Sequence, residues 1–365
     1  MNYPLLGTPK DSLDTPALCI DLPRFEANVD AAAALCRQHG VAWRPHAKCH
    51  KSPDVARRVV EAGAIGLTCA KLGEAEVFAA AGVSDLLIAN YVVGPAKISR
   101  LVALAQKADP IICLDHLDQA EPISQAMVAA GQRVRAVIEI DLGMERAGVP
   151  PTAALPLARR LAALPGLRLV GIMGYEGHLL LVEDQREKAA RIAEALGQLV
   201  ATKERMLAAG LDCSIVSCGG TGSFPFAVAQ PGITEVQAGG VIFMDAFYRH
   251  RCHIAGFEYA LTLLTTVVGR PAPDRAIIDA GRKTMNIELH APLVRHRPDI
   301  VVDRLSAEHG CLKLAPTAQD LKVGDRLELI PGYGDFTTVL HNCFYVLQHD
   351  RLVDIWPLAA RGKLA

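Results

Sequence analysis

A cluster of basic side chains follows the apolar run "GVAW" and could provide a nucleophilic amine. Residues 44–51 read "RPHAKCHK" and hold Arg44, His46, Lys48, His50 and Lys51. If strand alternation continues through this segment, His46, Lys48 and His50 share one face. A lysine placed against an apolar interior loses its charge more readily, and the neutral amine can form a Schiff base with a carbonyl. The segment therefore predicts a Schiff-base lysine, with a solvated basic loop as the alternative.

Two glycine-rich segments farther along the chain could bind an anionic group. Residues 217–223 read "SCGGTGS", and Gly239 and Gly240 follow the next apolar run. Glycine turns present backbone N–H groups to an anion, and serine and threonine hydroxyls add further donors. No lysine follows in the Walker pattern, and the spacing is not a dinucleotide fingerprint. The two segments predict a phosphate site after the last strands of a barrel, with a flexible turn as the alternative.

Two more apolar runs end in polar residues between these segments. In "EIDLGMERAGV", Asp141 and Arg146 flank a glycine turn, and the arginine could contact an anionic oxygen. In "GIMGYEGH", Tyr175 and His178 could stack on a ring or protonate it. A surface ion pair and a capping loop are the respective alternatives. The order of lysine, arginine, tyrosine and glycine loops favours pyridoxal 5′-phosphate (PLP), which needs a Schiff-base lysine and a phosphate anchor.

These polar ends belong to a regular alternation of apolar runs and helical stretches. From residue 17 to about 250 the alternation repeats about eight times, which predicts a parallel (β/α)8 barrel of the TIM type. Beyond about residue 255, short apolar runs separated by turns predict a C-terminal antiparallel β domain. We therefore expect a PLP-binding barrel over residues 16–254 and a β domain over residues 255–365 joined by residues 1–15.

The composition excludes several classes of partner. With 38 Lys+Arg against 39 Asp+Glu, the net charge of −1 excludes nucleic acid or an anionic membrane as the main partner. No apolar run approaches the roughly 20 residues that span a bilayer. The N-terminus lacks a basic segment followed by an apolar stretch, so we expect a cytoplasmic protein without a secretory signal. The ten cysteines form no C-x-x-C pair and are predicted to be free thiols.

Six segments spread over nearly the whole chain resemble the D-threonine aldolase/D-serine dehydratase family. They are "RPHAKCHK", "TCAKLGEAEV", "EIDLGMERAGV", "VSCGGTGSF", "TEVQAGGVIFMD" and "DIWPLAARGK". Members of this family are PLP enzymes with an alanine-racemase-like barrel and a C-terminal β domain. The resemblance implies Lys48 as the Schiff-base lysine beside His46, Arg146 near the cofactor's phenolic oxygen and Tyr175 beside its pyridine ring. It also implies a set of residues around the cofactor and its phosphate, namely Ser217, Gly219, Gly220, Thr221, Gly222, Gln237, Gly239 and Gly240.

One segment departs from the family pattern at the position of its metal ligands. Members carry a His-x-Asp or His-x-Cys pair after an Ile-Pro-type segment, where this chain reads "IPGYGDFTTVLHN". In register, the pair becomes Tyr333 and Asp335, whereas His341 and Cys343 keep the His-x-Cys spacing but lie later. A neutral phenol is a poor ligand for a divalent cation, although a carboxylate is a good one. The resemblance therefore implies Mg²⁺, Mn²⁺ or Zn²⁺ only through one of these altered pairs, and we expect weak dependence on metal.

The resemblance implies a lyase that cleaves D-β-hydroxy-α-amino acids, of the D-threonine or 3-hydroxy-D-aspartate aldolase type, into an amino acid such as glycine and an aldehyde. Lys48, His178 and Tyr333 are the expected catalytic residues, with His341 as a further candidate for the base. Dehydration of D-serine or D-threo-3-hydroxyaspartate and racemisation of an amino acid are the alternatives. A non-catalytic cofactor carrier is disfavoured, because such carriers lack the second domain. We expect a small-molecule D-amino acid substrate and a homodimer.

Overall fold

The computed structural model describes residues 4–365, and the contacts divide the chain into two compact units. The barrel unit comprises Ala32–Gly239 and Ala360–Ala365. The sheet unit comprises the segment that ends at Ala31 together with Gly240–Ala359. The chain passes between the units at three points, which lie within the long first helix, between Gly239 and Gly240, and between Ala359 and Ala360.

The strands and helices of residues 4–365 are numbered in chain order. The strands are β1 (Ala17–Asp21), β2 (Ala42–Trp43), β3 (Leu67–Cys69), β4 (Asp85–Ile88), β5 (Asp109–Leu114), β6 (Val134–Ile140), β7 (Leu167–Gly174), β8 (Ile215–Cys218), β9 (Glu235–Val236), β10 (Leu261–Ala272), β11 (Arg275–Ile278), β12 (Leu293–Val294), β13 (Ile300–Leu305), β14 (Gly310–Leu314), β15 (Arg326–Ile330), β16 (Cys343–Gln348) and β17 (Arg351–Pro357). The α-helices are α1 (Leu22–His39), α2 (Pro53–Glu61), α3 (Leu72–Ala80), α4 (Pro95–Ala105), α5 (Leu117–Ala129), α6 (Ala154–Ala162), α7 (Gln185–Ala208), α8 (Phe224–Ala227), α9 (Ala246–His250) and α10 (Gly334–Thr338). The short 3₁₀ helices are Lys10–Ser12, Ala47–Cys49, Gly177–Leu179, Thr221–Ser223, Gly240–Ile242 and Pro316–Ala318.

The barrel unit is built on parallel strands that follow one another in sequence order. Within residues 4–365, eight strands pair in the order β2-β9-β8-β7-β6-β5-β4-β3. The two ends of this series meet, because His46 and Thr68 form a parallel bridge and the Thr68 N–H donates to the Pro45 carbonyl at 3.0 Å. The strands therefore close into a parallel barrel, which confirms the predicted (β/α)8 fold.

The central barrel strands are apolar along nearly their whole length. In β6 and β7 all residues except Arg135 and Arg168 are buried. Near-continuous apolar runs are typical of parallel strands that are covered on both faces. Side chains from neighbouring strands pack into one core cluster, formed by Leu87, Ile111, Cys113, Val137, Val170 and Met173.

The first strand differs from the prediction. The predicted barrel range, 16–254, includes β1, but β1 pairs antiparallel with β10 and parallel with β16 in the sheet unit. The barrel strands therefore begin at β2. The sequence pattern misses this because β1 and the helix α1 read like any other strand–helix repeat, whereas the pairing partners of β1 lie more than two hundred residues away in the chain.

The sheet unit is mainly antiparallel, which confirms the predicted type of the C-terminal domain. Within the described residues its strands follow the order β11-β14-β13-β12-β15-β10-β1-β16-β17, and β10 also pairs with β11. Strands β10 to β15 therefore form a closed ring, from which β1, β16 and β17 extend. The inner face packs around Leu13, Ala17, Cys19, Leu264, Leu347 and Leu352.

Two further predictions concern the chain as a whole. The cysteines, all of which lie within residues 4–365, are free thiols, and every one except Cys311 is buried. This confirms that they form no disulfide framework. Among residues 4–365 no helix combines the length and the hydropathy that a membrane crossing needs.

Candidate active site

Lys48 lies in the 3₁₀ helix Ala47–Cys49, directly after the chain leaves β2. His46 caps this helix, since its Nδ1 accepts the backbone N–H of Lys48 at 3.4 Å. The predicted alternation that would place His46, Lys48 and His50 on one strand face is wrong, because the turn replaces the strand. The Lys48 side chain is partly exposed, so its amine lies at an accessible edge of the barrel.

Arg44 has a structural partner inside the barrel. It is 1% exposed, and its Nε and Nη2 donate to the Glu235 carboxylate at 3.0 and 3.1 Å. Its Nη2 also donates to Asp85 at 3.1 Å. Glu235 and Asp85 are the first residues of β9 and β4, so Arg44 ties together the strand starts, opposite the end at which barrel active sites form.

Two more basic residues of the same segment are buried beside structural partners. Lys51 forms an ion pair with the buried Glu74, and its ammonium is committed to that carboxylate. The Nδ1 of His50 accepts the Ser52 N–H at 3.1 Å. Burial, assisted by the charge of Lys51, lowers the pKa of His50 to about 3, so this imidazole is neutral. These contacts leave His46 and Lys48 as the basic side chains with room for chemistry in this segment.

The Lys48 segment lies against the loop after β9. The His46 N–H donates to the Gln237 carbonyl at 3.0 Å. A Cβ added to Gly239 would lie 2.3 Å from the His46 carbonyl oxygen, so only glycine fits at this approach. The Gln237 side chain reaches the next strand, where its Nε2 donates to the Ser217 Oγ at 2.9 Å. Lys48 is therefore a neighbour of the strand ends of β8 and β9. The sequence predicts this proximity between the Schiff-base lysine and the phosphate loop.

The loop after β8 is a compact turn rich in glycine. Gly219 has a φ of +76°, a conformation that side chains rarely adopt, and the chain then enters the 3₁₀ helix Thr221–Ser223. Gly222 lies within this helix, and Thr221 is 3% exposed. A Cβ on Gly220 would approach the Tyr175 ring to 3.1 Å. A Cβ on Gly219 would lie 2.9 Å from the Ala227 Cβ, so both glycines allow the close packing of this turn.

Arg146 and Tyr175 contact each other at the same end of the barrel. The Arg146 guanidinium lies over the Tyr175 ring at 5.6 Å from its centre, and its Nη2 is 3.7 Å from the Glu139 carboxylate. Burial raises the pKa of Glu139, and the charge of Arg146 opposes that rise. The sequence predicted Arg146 and Tyr175, and the structure brings them together. Glu139 was missed, because an acid inside the apolar run of β6 gives no sign of its burial.

His178 lies at the mouth of the barrel. It belongs to the 3₁₀ helix Gly177–Leu179 after β7, its side chain is exposed, and its Nε2 would lie 3.3 Å from a Cβ on Gly143. The loop that contains Gly143 is organised by Asp141, whose Oδ1 accepts the N–H groups of Gly143 and Met144 at 3.0 Å each. His178 thus faces the loop after β6, in which Arg146 is also located.

Glu176 and Ser223 complete the barrel site, and neither was predicted. The Ser223 hydroxyl donates to the Glu176 carboxylate, and both side chains are fully buried. Burial raises the pKa of Glu176, while the Ser223 hydroxyl and the Gly219 N–H favour its charged form. The sequence segments "YEGH" and "TGSF" contain these two residues. Only their contact in the folded structure distinguishes them from ordinary polar residues of a loop.

The sheet unit holds the remaining predicted residues. The Tyr333 hydroxyl donates to Asp335 Oδ2 at 3.0 Å, and the Tyr248 hydroxyl lies 3.5 Å from that of Tyr333. Asp245 fixes the backbone between Tyr333 and Asp335, since its Oδ2 accepts the Gly334 N–H at 2.8 Å. Burial raises the pKa of Asp245 to about 8, although its backbone partners favour the charged form. Gly240, predicted for the phosphate site, begins the 3₁₀ helix Gly240–Ile242 of this unit.

These donors fit a divalent metal poorly. The Tyr333 hydroxyl donates a hydrogen bond to Asp335, and a phenol that keeps its proton is a poor ligand for a divalent cation. In the alternative pair, a ring nitrogen of His341 lies 2.8 Å from the Thr284 carbonyl, and burial raises the pKa of the Cys343 thiol. Among residues 4–365, no three His, Cys, Asp or Glu side chains form a group that could hold a metal.

The barrel residues fit PLP. The site has a partly exposed lysine on a capped turn, a tight glycine loop with Gly219 and Gly220, and hydroxyls at Ser217 and Thr221. An aromatic ring, Tyr175, borders the same loop. A primary amine for a Schiff base and a cradle of N–H and hydroxyl donors for a phosphate are the two protein features that PLP requires.

Two family models divide the chain between them. The model for the N-terminal domain of alanine racemase matches residues 20–246, and that for a serine dehydratase domain matches residues 260–347. The first match covers more than half of the chain. It begins inside β1 and ends inside α9, so it includes every barrel strand.

Individual proteins match over almost the full length. The D-threonine aldolase of Arthrobacter sp is 40% identical over 98% of this chain and 95% of its own. The 3-hydroxy-D-aspartate aldolase of Paracoccus denitrificans is 34% identical over the same shares. The crystal structure of the D-threonine aldolase of Filomicrobium marinum superimposes with a TM-score of 0.94 at 35% identity, covering 99% of this chain and 100% of that one.

Proposed function

This chain belongs to the D-threonine aldolase/D-serine dehydratase family of alanine-racemase-like PLP enzymes, and on that premise we propose that it cleaves D-β-hydroxy-α-amino acids. D-Threonine would give glycine and acetaldehyde, and 3-hydroxy-D-aspartate would give glycine and glyoxylate. The observation that carries the proposal is the contact between His46 and Gly239, because it joins the Lys48 turn to the loops that suit a phosphate. The full-length match to a D-threonine aldolase supports the same reaction.

The barrel residues would hold PLP in the following way. Lys48 would provide the amine that attaches the cofactor covalently, and the loop from Ser217 to Gly222 would bind its phosphate together with the Gly239 turn. Arg146 would contact the phenolic oxygen and Tyr175 the ring, since the two side chains already pack on each other. When bound, PLP supplies an electron sink for the pair left on Cα as the Cα–Cβ bond breaks.

The protein must also remove the proton of the substrate's β-hydroxyl. We assign that base to His178, because imidazole is the side chain that most often acts as a general base and this ring is exposed at the barrel mouth. Burial and the charges of Lys48 and Lys51 hold the pKa of His46 well below its usual range, so this imidazole is neutral. Its Nδ1 accepts the Lys48 backbone N–H and so helps to fix the turn that holds Lys48. His341 stays the other candidate for the base, since the contact of its Nε2 with the Thr284 carbonyl leaves the second ring nitrogen as the acceptor.

The sheet unit contributes a phenol–carboxylate pair in place of a metal pair. We propose that Tyr333, hydrogen-bonded to Asp335, exchanges a proton with the substrate and that the reaction does not require a divalent cation there. A homodimer is a further prediction of the family resemblance, which size-exclusion chromatography with light scattering would test. The cytoplasmic location remains a prediction of the sequence.

Product analysis tests the proposed reaction. The purified protein with PLP is incubated separately with D-threonine, D-phenylserine, D-serine and D-3-hydroxyaspartate. Glycine together with an aldehyde is the expected outcome. Ammonia together with an oxo acid would instead identify a dehydratase, and the enantiomer of the substrate would identify a racemase. A Lys48→Ala variant is the negative control for each assay.

A further inference from the structure

A buried carboxylic acid lies directly behind the predicted phosphate loop. Glu176 is 0% exposed, and its Oε2 makes no hydrogen bond to any of residues 4–365. Its Oε1 accepts the Ser223 hydroxyl at the far end of the loop. Burying a carboxylate oxygen without a hydrogen-bond donor costs free energy, which indicates that this group has a role beyond packing.

Ser223 connects this acid to the loop backbone. The Ser223 Oγ accepts the Gly220 N–H at 3.2 Å, and it also lies 3.4 Å from the Gly220 carbonyl oxygen. Its hydroxyl hydrogen can therefore point to Glu176 or back to the loop. An ionised Glu176 draws the hydrogen toward itself. A protonated Glu176 can donate to the Ser223 oxygen, which releases the Ser223 hydrogen to the loop.

The surroundings of Glu176 make its charge sensitive to an anion. From β8 the Cys218 thiol faces it, and the pKa of that thiol is raised by burial and then by Glu176. From the loop come the Ser223 hydroxyl and the Gly219 N–H, which favour the ionised form. The preceding residue, Tyr175, borders Gly220 with its phenol. A phosphate dianion in the loop would add negative charge close to this carboxylate and so favour its protonation.

We propose that Glu176 is a positioning residue that couples phosphate binding to the uptake of one proton. Binding of the dianionic phosphate to the loop draws a proton from solvent onto the Glu176 carboxyl. The protonated carboxyl then donates to Ser223, and the loop gains a hydroxyl donor where it had an acceptor. This inference rests on the proposed cofactor site, and it predicts that acid strengthens phosphate binding independently of the Lys48 chemistry.

The ratio of two dissociation constants isolates the phosphate contribution. PLP and pyridoxal carry the same aldehyde, so any titration of Lys48 cancels when their affinities are divided. Both constants are measured by absorbance and fluorescence titration between about pH 6.5 and 9, where the phosphate is mostly a dianion because its second pKa is about 6. The proteins are wild type, Glu176→Gln and the matched control Glu183→Gln, which removes an exposed acid from the same loop region.

In the wild type, the preference for PLP over pyridoxal should fall with rising pH, by up to about tenfold per pH unit where one proton is taken up. Glu176→Gln cannot ionise, and its side-chain amide can donate to the Ser223 oxygen as the protonated acid would, so its preference should be high and constant with pH. Glu183→Gln should follow the wild type. A constant preference in the wild type, or a wild-type slope in Glu176→Gln, would overturn the proposal.

A second variant keeps the test decisive if Glu176→Gln does not fold. Ser223→Ala removes a hydrogen bond that favours the ionised acid, so the pKa of Glu176 should rise and the fall in PLP preference should move to higher pH. An unchanged pH profile in Ser223→Ala would contradict the relay. Failure of the wild type to bind PLP at any pH would instead reject the proposed function, and the inference with it.

Discussion

Lys51 and Lys48 lie on the same turn, but Lys51 is paired with a buried carboxylate, whereas Lys48 is the lysine proposed to hold the cofactor. Lys51→Met removes the cation beside Glu74, whose side chain is 1% exposed. That carboxylate keeps the N–H groups of Ala70 and Lys71 at 2.6 and 3.2 Å but loses its charge partner. Removing one member of a buried ion pair costs about 3–5 kcal/mol. Because 1 kcal/mol corresponds to about 2–4 °C in a domain of 150–250 residues, Tm should fall by about 6–20 °C.

Thermal unfolding and borohydride reduction test this assignment together. Reduction of the PLP complex followed by peptide mass spectrometry should locate the cofactor on Lys48 in the wild type and in Lys51→Met. Lys48→Ala should lose both the adduct and the yellow colour of the complex. The double variant Lys51→Met/Glu74→Gln should recover part of the lost Tm, since it removes the unpaired buried charge.

Two results would refute the reasoning. A reducible adduct on Lys51 in Lys48→Ala would show that the ion pair with Glu74 does not hold the Lys51 amine. A Tm for Lys51→Met within about 2 °C of the wild type would correspond to about 1 kcal/mol or less, which is too small for a buried pair.

Three further predictions concern the loop, the metal and the sheet unit. Gly220→Asp should abolish PLP binding, because it adds bulk and negative charge beside Tyr175, while far-UV circular dichroism stays unchanged. Unchanged affinity for PLP would mean that the loop is only a turn. Activity should survive dialysis against EDTA, and Tyr333→Phe should lower the rate by about a hundredfold or more. Complete loss of activity on dialysis, restored by Mn²⁺ or Mg²⁺, would return Asp335 to the role of metal ligand. The pKa of Asp245 is raised to about 8 in the folded protein, so the stability that this side chain contributes is lost as pH rises toward that value. Asp245→Asn does not titrate, so the Tm of this variant should rise relative to that of the wild type between pH 5 and pH 8. A Tm difference that does not change with pH would contradict that pKa.

The site shows how far residue types alone can lead. Residue types alone single out Lys48, Arg146, Tyr175 and the glycines after β8, because Schiff-base chemistry, anion binding and close backbone approach each restrict the residue type. The roles of these residues stay predictions. The remaining contacts were not predictable. In the sequence, Glu176 and Ser223 look like ordinary polar residues of a loop. Only the folded chain buries both side chains and joins them by a hydrogen bond.

The fold divides in the same way. The sequence by itself determined the alternation of strands and helices, the change to an antiparallel domain and the family, because hydrophobic period and motif spacing are local properties of the chain. Tertiary structure alone decided that β1 joins β10 and β16, and that Arg44 and Lys51 are structural cations while Lys48 stays accessible. Strand partners, burial and ion pairs arise between residues that are distant in the chain, and no local pattern specifies which distant group will be present.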